Sequence, residues 1–207
     1  FDGNSDRHTV VSHRLLPSVQ TRYIRIHPLQ YSKYACLRVD FFGCSIGKTL
    51  TTECGIPLGI QNGRITDAAI TASSSQGAAH RARLHTVGEG GKPGAWVAGV
   101  ANLSQWLQID FGGVAMVTRI ATQGRHVGQE ELVSGGPQHW VTRFKLSFSQ
   151  LGRAYEWYKI NGSIFSGNSD ISSVVHNDVN PQITGRYFRL HPVTWNEHPA
   201  MRVEMYG

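Results

Sequence analysis

The sequence has few of the features that mark a membrane protein, a helical domain or an enzyme. Within its 207 residues no apolar run approaches the ~18 residues of a membrane-spanning helix. No segment of useful length repeats its apolar residues with the helical period of about 3.6 residues. No serine sits in a G-x-S-x-G turn, and no carboxylate pair has the motif context of a hydrolase. We therefore expect a domain that is not an enzyme.

Charged residues are also scarce, at 16% of the chain, and the net charge is +6 with histidine neutral. The basic residues are spread along the sequence rather than clustered in a stripe, so nucleic-acid binding is not expected. Ten histidines are present. The pair His80 and His85 and the pair His191 and His198 do not have the spacing of a compact zinc site with a cysteine partner.

One stretch of the sequence occurs twice. Residues 1–43 and 165–207 align without a gap at a constant offset of 164. The equivalent pairs include Phe1 and Phe165, Pro17 and Pro181, His27 and His191, and Gly43 and Gly207. Such a repeat indicates tandem modules. We read 1–44 as the C-terminal part of a first module, 45–53 as a linker and 54–207 as a complete second module.

Short runs with alternating apolar and polar residues predict strands throughout the chain. In the first copy they are Arg22–Ile26 and Leu37–Phe41, and in the second module they are 65–72, 95–97, 106–111, 117–122, 141–149 and 155–160. Glycine, proline and asparagine separate them, which predicts an all-β sandwich with long loops at one end. Because two or three strands are not stable alone, we expect a fragment, a neighbouring chain or a swapped element to complete residues 1–44.

The chain contains only three cysteines, Cys36, Cys44 and Cys54. Cys36 aligns with Ala200 inside a strand-like run and is predicted to be a buried thiol. Cys44 closes the first copy and Cys54 opens the complete module, so we infer a disulfide from first to last cysteine in each intact module. Their partners then lie outside this chain, or Cys44 and Cys54 pair with each other. Either arrangement indicates an oxidising, extracellular environment.

Several short pieces of 54–207 stand in the order of a known family. They are Cys54–Gly59, Ile70–Ser74, Arg81–Leu84, Gln105–Phe111, Thr122–Gly124, Phe165–Asn168 and Arg202–Gly207. With these pieces the module resembles the discoidin domain, also called the coagulation factor V/VIII type C domain. The resemblance implies an eight-stranded jelly-roll sandwich with an extracellular, ligand-binding role and no catalysis. It also implies that loops 73–80, 92–102 and 124–136 bind the ligand at one end.

The composition of these loops bears on membrane binding. The first loop tip, residues 75–79, has no large apolar side chain, and the third offers Val127 and Leu132 beside Glu130 and Glu131. Burial of each large apolar side chain would supply about 1.5–3 kcal/mol, and the glutamates would repel anionic lipid. Insertion into a membrane is therefore not expected. Calcium near Glu130 and Glu131 is left open as an alternative to a site without metal.

Polar side chains of the loops are the candidate ligand contacts, because they suit hydrogen bonds to sugar hydroxyls or to a carboxylate. They are Ser74, Ser75, Gln76, His80, Arg81, Arg125, His126, Gln129 and Glu130, with Trp96 or Trp140 as a stacking face. Two N-x-S sequons, at Asn102 and Asn161, predict N-glycosylation of a secreted protein.

Five other prominent residues are expected to be structural. Trp106 would pack in a core strand, and Asp110 would make a structural hydrogen bond. Arg83 and Arg202 would pair with buried backbone or carboxylates. His191 recurs before proline in both copies and would also stabilise the fold.

The function predicted from the sequence is an extracellular, non-enzymatic adhesion module in a multi-discoidin protein. It would bind a protein or a glycan through the loops, and tandem copies would raise the avidity. Three alternatives remain: a lectin for galactose- or fucose-type sugars, a targeting domain of a larger secreted enzyme, and a matrix component in which the modules are spacers.

Overall fold

The computed structural model describes residues 1–6, 9, 11, 13, 15, 19, 21, 23–39, 55–128, 135–158 and 164–207. The chain divides into two units, Phe1–Thr51 and Thr52–Gly207. Among the described residues, no helix is long and apolar enough to cross a membrane. The predicted linker, Cys44 and Cys54 lie outside the described residues, so the proposed domain boundaries and disulfides stay predictions.

The second unit is built from strands, with two short 3₁₀ helices, η1 (Asp67–Ala69) and η2 (Ala79–Ala82). The strands are β1 (Ile70–Ala72), β2 (Trp96–Val97), β3 (Leu107–Gln123), β4 (Trp140–Ser149), β5 (Glu156–Trp157), β6 (Phe165–Ser166), β7 (Val175–Asn196) and β8 (Ala200–Tyr206). Their order is β2-β8-β3-β7-β4-β5, with β1 on β3 and β6 on β4, and the strand pairs are antiparallel. The predicted all-β, eight-stranded jelly roll is confirmed.

The long strands β3 and β7 connect the parts of the sandwich. They pair along nearly the whole of β3, and the register shifts between Asp110 and Ala115. Gly112 has a φ of 71° there, which glycine adopts without strain. The other edge of β3 pairs first with β1, at Leu107–Ile109, and later with β8, at Arg119–Gln123. One strand therefore serves both layers, and Gly112-Gly113 forms a bend within it.

The core follows the predicted alternation of apolar side chains. Leu107 and Ile109 of β3 and Phe188 and Leu190 of β7 are fully buried, whereas the residues between them lie on the opposite face. Burying each large apolar side chain contributes about 1.5–3 kcal/mol. The other fully buried large apolar side chains are Ile60, Trp96, Ile120, Phe144, Leu146, Met201 and Met205.

The first and last segments of the second unit lie side by side. The Leu58 amide donates to the Met205 carbonyl at 2.8 Å, and the Gly207 amide donates to the Ile56 carbonyl at 3.2 Å. A bridge between Pro57 and Tyr206 lies between these two bonds. The module is thus closed by backbone pairing as well as by any disulfide.

A buried carboxylate holds the turn that follows this pairing. Glu204 is fully buried, and its two oxygens accept hydrogen bonds from the amides of Ile60 at 3.2 Å and Gln61 at 2.7 Å. Bonds of this kind satisfy a charge that would otherwise be costly to bury. Glu204 therefore fixes the turn at 59–61 onto β8.

The predicted strands of the first copy are wrong over the described residues. Residues 23–26 and 37–39 are not in strands, and every described residue of 1–39 is exposed. Positions 22, 40 and 41 lie outside the described residues. Since the sequence pattern matches that of the second copy, the difference must come from the surroundings.

The two copies differ in what they pair with. In the second copy Phe188 and Leu190 are fully buried, because β7 lies between β3 and β4. Their equivalents Ile24 and Ile26 are 48% and 43% exposed. Residues 1–53 contain no counterpart of β3 or β4, so the alternating pattern has no sheet on which to bury its apolar face.

The predicted burial of Cys36 is wrong for the same reason. Its thiol is free and exposed, whereas its equivalent Ala200 is fully buried in β8. Ala200 pairs with Val97 of β2. The burial predicted for Cys36 thus depends on a neighbouring strand that its own copy does not have.

Candidate ligand-binding loop end

Hydrogen bonds join the first two predicted loops. The Gly99 amide donates to the Ser74 hydroxyl at 2.9 Å, and that hydroxyl donates to Oε1 of Gln105. The Gln76 amide donates to the Val97 carbonyl at 2.9 Å. The hydroxyl of Ser74, a predicted ligand contact, therefore connects loop 73–80 to the segment before β3.

The third loop lies beside the second. His126 and Gly94 exchange two backbone hydrogen bonds, at 3.2 and 3.3 Å, and Nδ1 of His126 accepts from the Gly88 amide at 3.1 Å. A Cβ on Gly94 would lie 2.5 Å from the Gly88 nitrogen, so only glycine allows this approach. The structure thus brings the three predicted loops together, and we call this region the loop end.

Two arginines hold the loops in place rather than pointing to a ligand. Arg81, a predicted contact, donates to the carbonyls of Pro93 and Val87, the latter at 2.6 Å. Arg83, as expected, has a structural role: its guanidinium donates to the Ile60 carbonyl and to the Asp67 carboxylate. The hydrogen bond from Arg83 holds the pKa of Asp67 below its ordinary value.

Arg202 connects three separate segments at the base of the loops. It is 2% exposed, and its guanidinium donates to the carbonyls of Gly124 at 2.7 Å, Thr86 at 3.1 Å and Ile171 at 2.7 Å. Burial lowers the pKa of Arg202 to about 10. The predicted structural role is confirmed, and the loops rest on a fixed base.

Two predicted contacts and one predicted loop-tip residue are buried. Trp96 is fully buried, and its indole donates to the Ser74 carbonyl at 2.9 Å, so it cannot offer a stacking face. Arg125 and Val127 are only 9% and 5% exposed. Because the Arg125 amide donates to the His139 carbonyl at 2.9 Å, paired backbone continues past β3 and these side chains turn into the protein.

The other predicted contacts differ in their accessibility. Gln76 is exposed, and the Ser75 hydroxyl accepts from the Gly77 amide at 3.3 Å. The His80 side chain is 39% exposed and lies 3.8 Å from the Asp67 carboxylate. Gln129, Glu130 and Glu131 lie outside the described residues, as does Asn161. The described residues contain no cluster of three or more side chains suited to holding a metal ion.

A polar cluster at the turn between β7 and β8 was not predicted. Nε2 of His198 lies 2.7 Å from the Ala98 carbonyl and 3.3 Å from Nε2 of Gln76. The His139 ring lies 5.5 Å from the His198 ring, and its Nε2 is 3.6 Å from Glu197. His198 aligns with Tyr34 in the first copy. This difference between the two copies is the sequence signal that could have pointed to His198.

Two exposed apolar side chains that follow Ala98 in the sequence were also missed. Val100 and Leu103 are 56% and 69% exposed in the loop before β3. Between them Asn102 is exposed, and its Oδ1 accepts from the amide of Ser104 at 3.0 Å and from the side chain of Gln105 at 2.9 Å. The membrane prediction considered the first and third loops, whereas Val100 lies in the second loop and Leu103 directly follows it.

Comparison with known proteins agrees with this architecture. The F5/8 type C domain model matches residues 69–205. The chain belongs to the F5/8 type C family. It is 36% identical to mouse coagulation factor V (Mus musculus) over 215 residues, a match that covers the whole chain and 9% of that protein. The chain thus spans under a tenth of the length of this relative.

Two solved structures show the same fold. Discoidin II from Dictyostelium discoideum superposes with a TM-score of 0.56 at 25% identity, covering 66% of this chain and 53% of that one. The family 32 carbohydrate-binding module of C. perfringens NanJ, solved in complex with galactose, gives a TM-score of 0.50 at 15% identity, covering 69% and 97%. The family resemblance found in the sequence is confirmed, and the fold is that of ligand-binding modules.

Proposed function

We propose that this chain is an extracellular, non-catalytic adhesion module that binds a protein partner through the loop end. The observation that carries the proposal is the exposed pair Val100 and Leu103 in the segment that follows Ala98, whose carbonyl contacts His198 next to Gln76. An apolar centre with hydrogen-bonding groups around it is the usual make-up of a protein interface. The loops are held by hydrogen bonds to one another, so little order is lost when a partner binds.

A sugar ligand has less support at this end. Sugars commonly pack on the face of an aromatic ring, but Trp96 is buried and Trp140 is half-buried. Gln76 and His198 could still bind sugar hydroxyls, and the galactose complex of the similar fold keeps a lectin as the second candidate. Calcium near Glu130 and Glu131 remains a proposal.

The extracellular setting rests on several features of the chain. The sequon at Asn161 and the inferred disulfides both indicate an oxidising, secretory environment. A glycan on Asn102 would lie between Val100 and Leu103, so the proposed surface requires Asn102 to be unmodified. Mouse coagulation factor V aligns across both copies. We therefore propose that the parent protein carries tandem modules whose weak contacts add up.

The test compares two exposed leucines that differ in position. The full chain, fluorescently labelled, is bound to intact cell layers before and after trypsin treatment. We expect Leu103→Ser to weaken binding roughly tenfold, because an apolar anchor is lost. Leu151→Ser is the matched control: Leu151 is 70% exposed, against 69% for Leu103, but lies after β4. It should bind like the parent chain.

The competing ligands predict different results in the same assay. Trypsin should abolish binding, and free galactose should not compete. If galactose displaces the chain and trypsin has no effect, the lectin alternative replaces the proposal. Sedimentation with phosphatidylserine liposomes that is lost in Leu103→Ser would show that lipid is the ligand. Equal binding by Leu103→Ser and the parent would exclude the loop end.

A further inference from the structure

A second surface with binding potential lies on the outer face of β3, β7 and β4. Gln108 pairs across strands with Arg189, and Lys145 of β4 pairs with His191. The side chains that alternate with these face the core, so this row faces outward. We call the face formed by Gln108, Arg189, Lys145 and His191 the guanidinium face.

Arg189 is held between two aromatic rings. Its guanidinium carbon lies 4.1 Å from the Trp106 ring centroid and 3.8 Å from that of Tyr155. Nε of Arg189 donates to Oε1 of Gln108 at 2.9 Å, and the Tyr155 hydroxyl donates to the same oxygen at 2.6 Å. The cation is therefore fixed in one orientation before any ligand arrives.

The remaining donors of Arg189 have no carboxylate partner within the described part of the chain. No described residue accepts a well-aligned hydrogen bond from its two terminal nitrogens, although the guanidinium also interacts with the Tyr155 hydroxyl, and neither nitrogen is a buried atom without a partner. No described carboxylate forms an ion pair with Arg189 or Lys145. The nearby Asp110 is already engaged by both Nε and Nη2 of Arg186, at 2.7 and 2.9 Å.

The electrostatics of the guanidinium face are positive. The pKa of His191 is lowered to about 4, first by burial and then by the charges of Arg189 and Lys145. His191 therefore stays neutral at physiological pH, and the positive charge of this face comes from Arg189 and Lys145. Beside it, 4.6 Å from the His191 ring, Trp157 is 46% exposed on the edge strand β5.

We propose that the guanidinium face binds a carboxylate on an acidic segment of a protein partner. The free edge of the Arg189 guanidinium offers two parallel N–H donors, which match a carboxylate. Lys145 adds charge, and Trp157 offers an apolar contact next to it. Arginine, tryptophan and tyrosine are the residues most enriched at the centres of protein interfaces. This surface is independent of the loop end and of the function proposed for it.

An acidic peptide fits the face better than an acidic sugar. A sugar ring needs the free face of an aromatic side chain. Trp106 and Tyr155 each give one ring face to Arg189. A carboxylate needs only the exposed nitrogens of Arg189, and an adjacent apolar side chain can contact Trp157.

The experiment titrates the full chain with an acetylated Glu-Glu-Leu-Glu-Glu-Glu peptide at low salt by calorimetry and amide chemical shifts. We expect saturable binding, with shifts at Gln108, Arg189 and Lys145. Arg189→Gln should weaken it roughly tenfold and Lys145→Gln about threefold. Arg64→Gln is the matched loss of charge, since Arg64 is exposed and lies outside these strands. It should bind like the parent.

Each control has an outcome that would overturn the proposal. A peptide with glutamine in place of glutamate should not bind. If Arg64→Gln weakens peptide binding as much as Arg189→Gln, the binding depends on the net charge of the chain and not on the guanidinium face. Tighter binding of a hyaluronate hexasaccharide would make the site one for acidic sugars. If Arg189→Gln fails to fold, unchanged affinity in Lys145→Gln and Trp157→Ala would also refute the peptide site.

Discussion

His191 lies on the outer face of the sheet, where neighbouring side chains partly bury it and keep it neutral. Its Nε2 lies 2.9 Å from the Ser147 hydroxyl, and the Trp157 ring covers it. Arg189 and Lys145 face it with positive charge. Its recurrence before proline predicted a structural role, which agrees with these contacts. Its low pKa could not be predicted, because that depends on burial and on charges from two other strands.

This environment makes folding stability depend on pH. The pKa of His191 is about 4 in the folded chain and 6.5 in the unfolded chain, so the unfolded chain binds more protons between these values. Stability should be complete above pH 6.5 and fall as the pH decreases to about 4. After allowance for partial exposure, we expect a loss of about 2 kcal/mol. Urea unfolding of the full chain at a series of pH values measures it.

The variant His191→Gln isolates this contribution. Glutamine can keep a hydrogen bond to Ser147 but does not titrate, so its stability should change less over the same interval. The carboxylates with lowered pKa, Asp67, Asp110 and Asp170, lose their contributions mainly below their ordinary value of 3.8, and they do so equally in both chains. Parallel curves for both chains would contradict the assignment.

At the scale of elements, strands were easier to predict than loop side chains. The strands at Leu107–Phe111 and Val141–Ser149 were predicted from their alternation, because a paired strand fixes which side each residue faces. Trp106, predicted to pack in a core strand, precedes β3 and contacts Arg189 instead.

Loop residues have no such period. Trp96 and Arg125 looked like contacts from their position and turned out to be buried. His198 was missed because its turn adjoins the loop end only through folding.

The loops depend on Arg202 for their common base. Replacing Arg202 with methionine would keep the length of the side chain but leave three carbonyls without their donor. Each lost bond to a buried group costs about 1–3 kcal/mol, so we expect Arg202→Met to lower the free energy of unfolding by about 3–5 kcal/mol. Chemical denaturation of the full chain measures this loss.

An exposed arginine on β3 serves as the control. Arg119 pairs with Asp178 at 2.7 Å, and the two side chains are 36% and 46% exposed. Exposed ion pairs of this kind contribute at most about 1 kcal/mol, so Arg119→Met should have a small effect. If both variants lose the same stability, the carbonyl contacts of Arg202 do not hold the loops.

At the scale of the whole molecule, the repeat shows how much of a fold its pattern alone determines. Both copies carry the same alternation, yet only the second forms strands in the described residues. The family, the fold class and the strands at 107–111, 117–122 and 141–149 could be predicted because the strands that pair with them are in the sequence. The state of residues 1–39 could not, since it depends on strands that they do not contain.

A rearranged chain tests this explanation with the protein's own sequence. Joining residues 54–164 to residues 1–43 supplies the first copy with β3 and β4. We expect its amides at Ile24 and Ile26 to become protected from hydrogen exchange, because apolar exchanges such as Phe188 for Ile24 are tolerated when the pattern is kept. In the parent chain the same amides should exchange freely. Free exchange in both chains would mean that the first copy cannot form these strands.

The backbone pairing of Ile56–Leu58 with Met205–Gly207 affects how the module would respond to tension. A pulling force applied at both segments acts on adjacent points, so it crosses this short ladder and bypasses the core. In a series of such modules, the force would pass through the short ladder of each module, and the rest of the module would carry little load. Its binding surfaces would then keep their shape while the row is stretched, until the ladder itself opens.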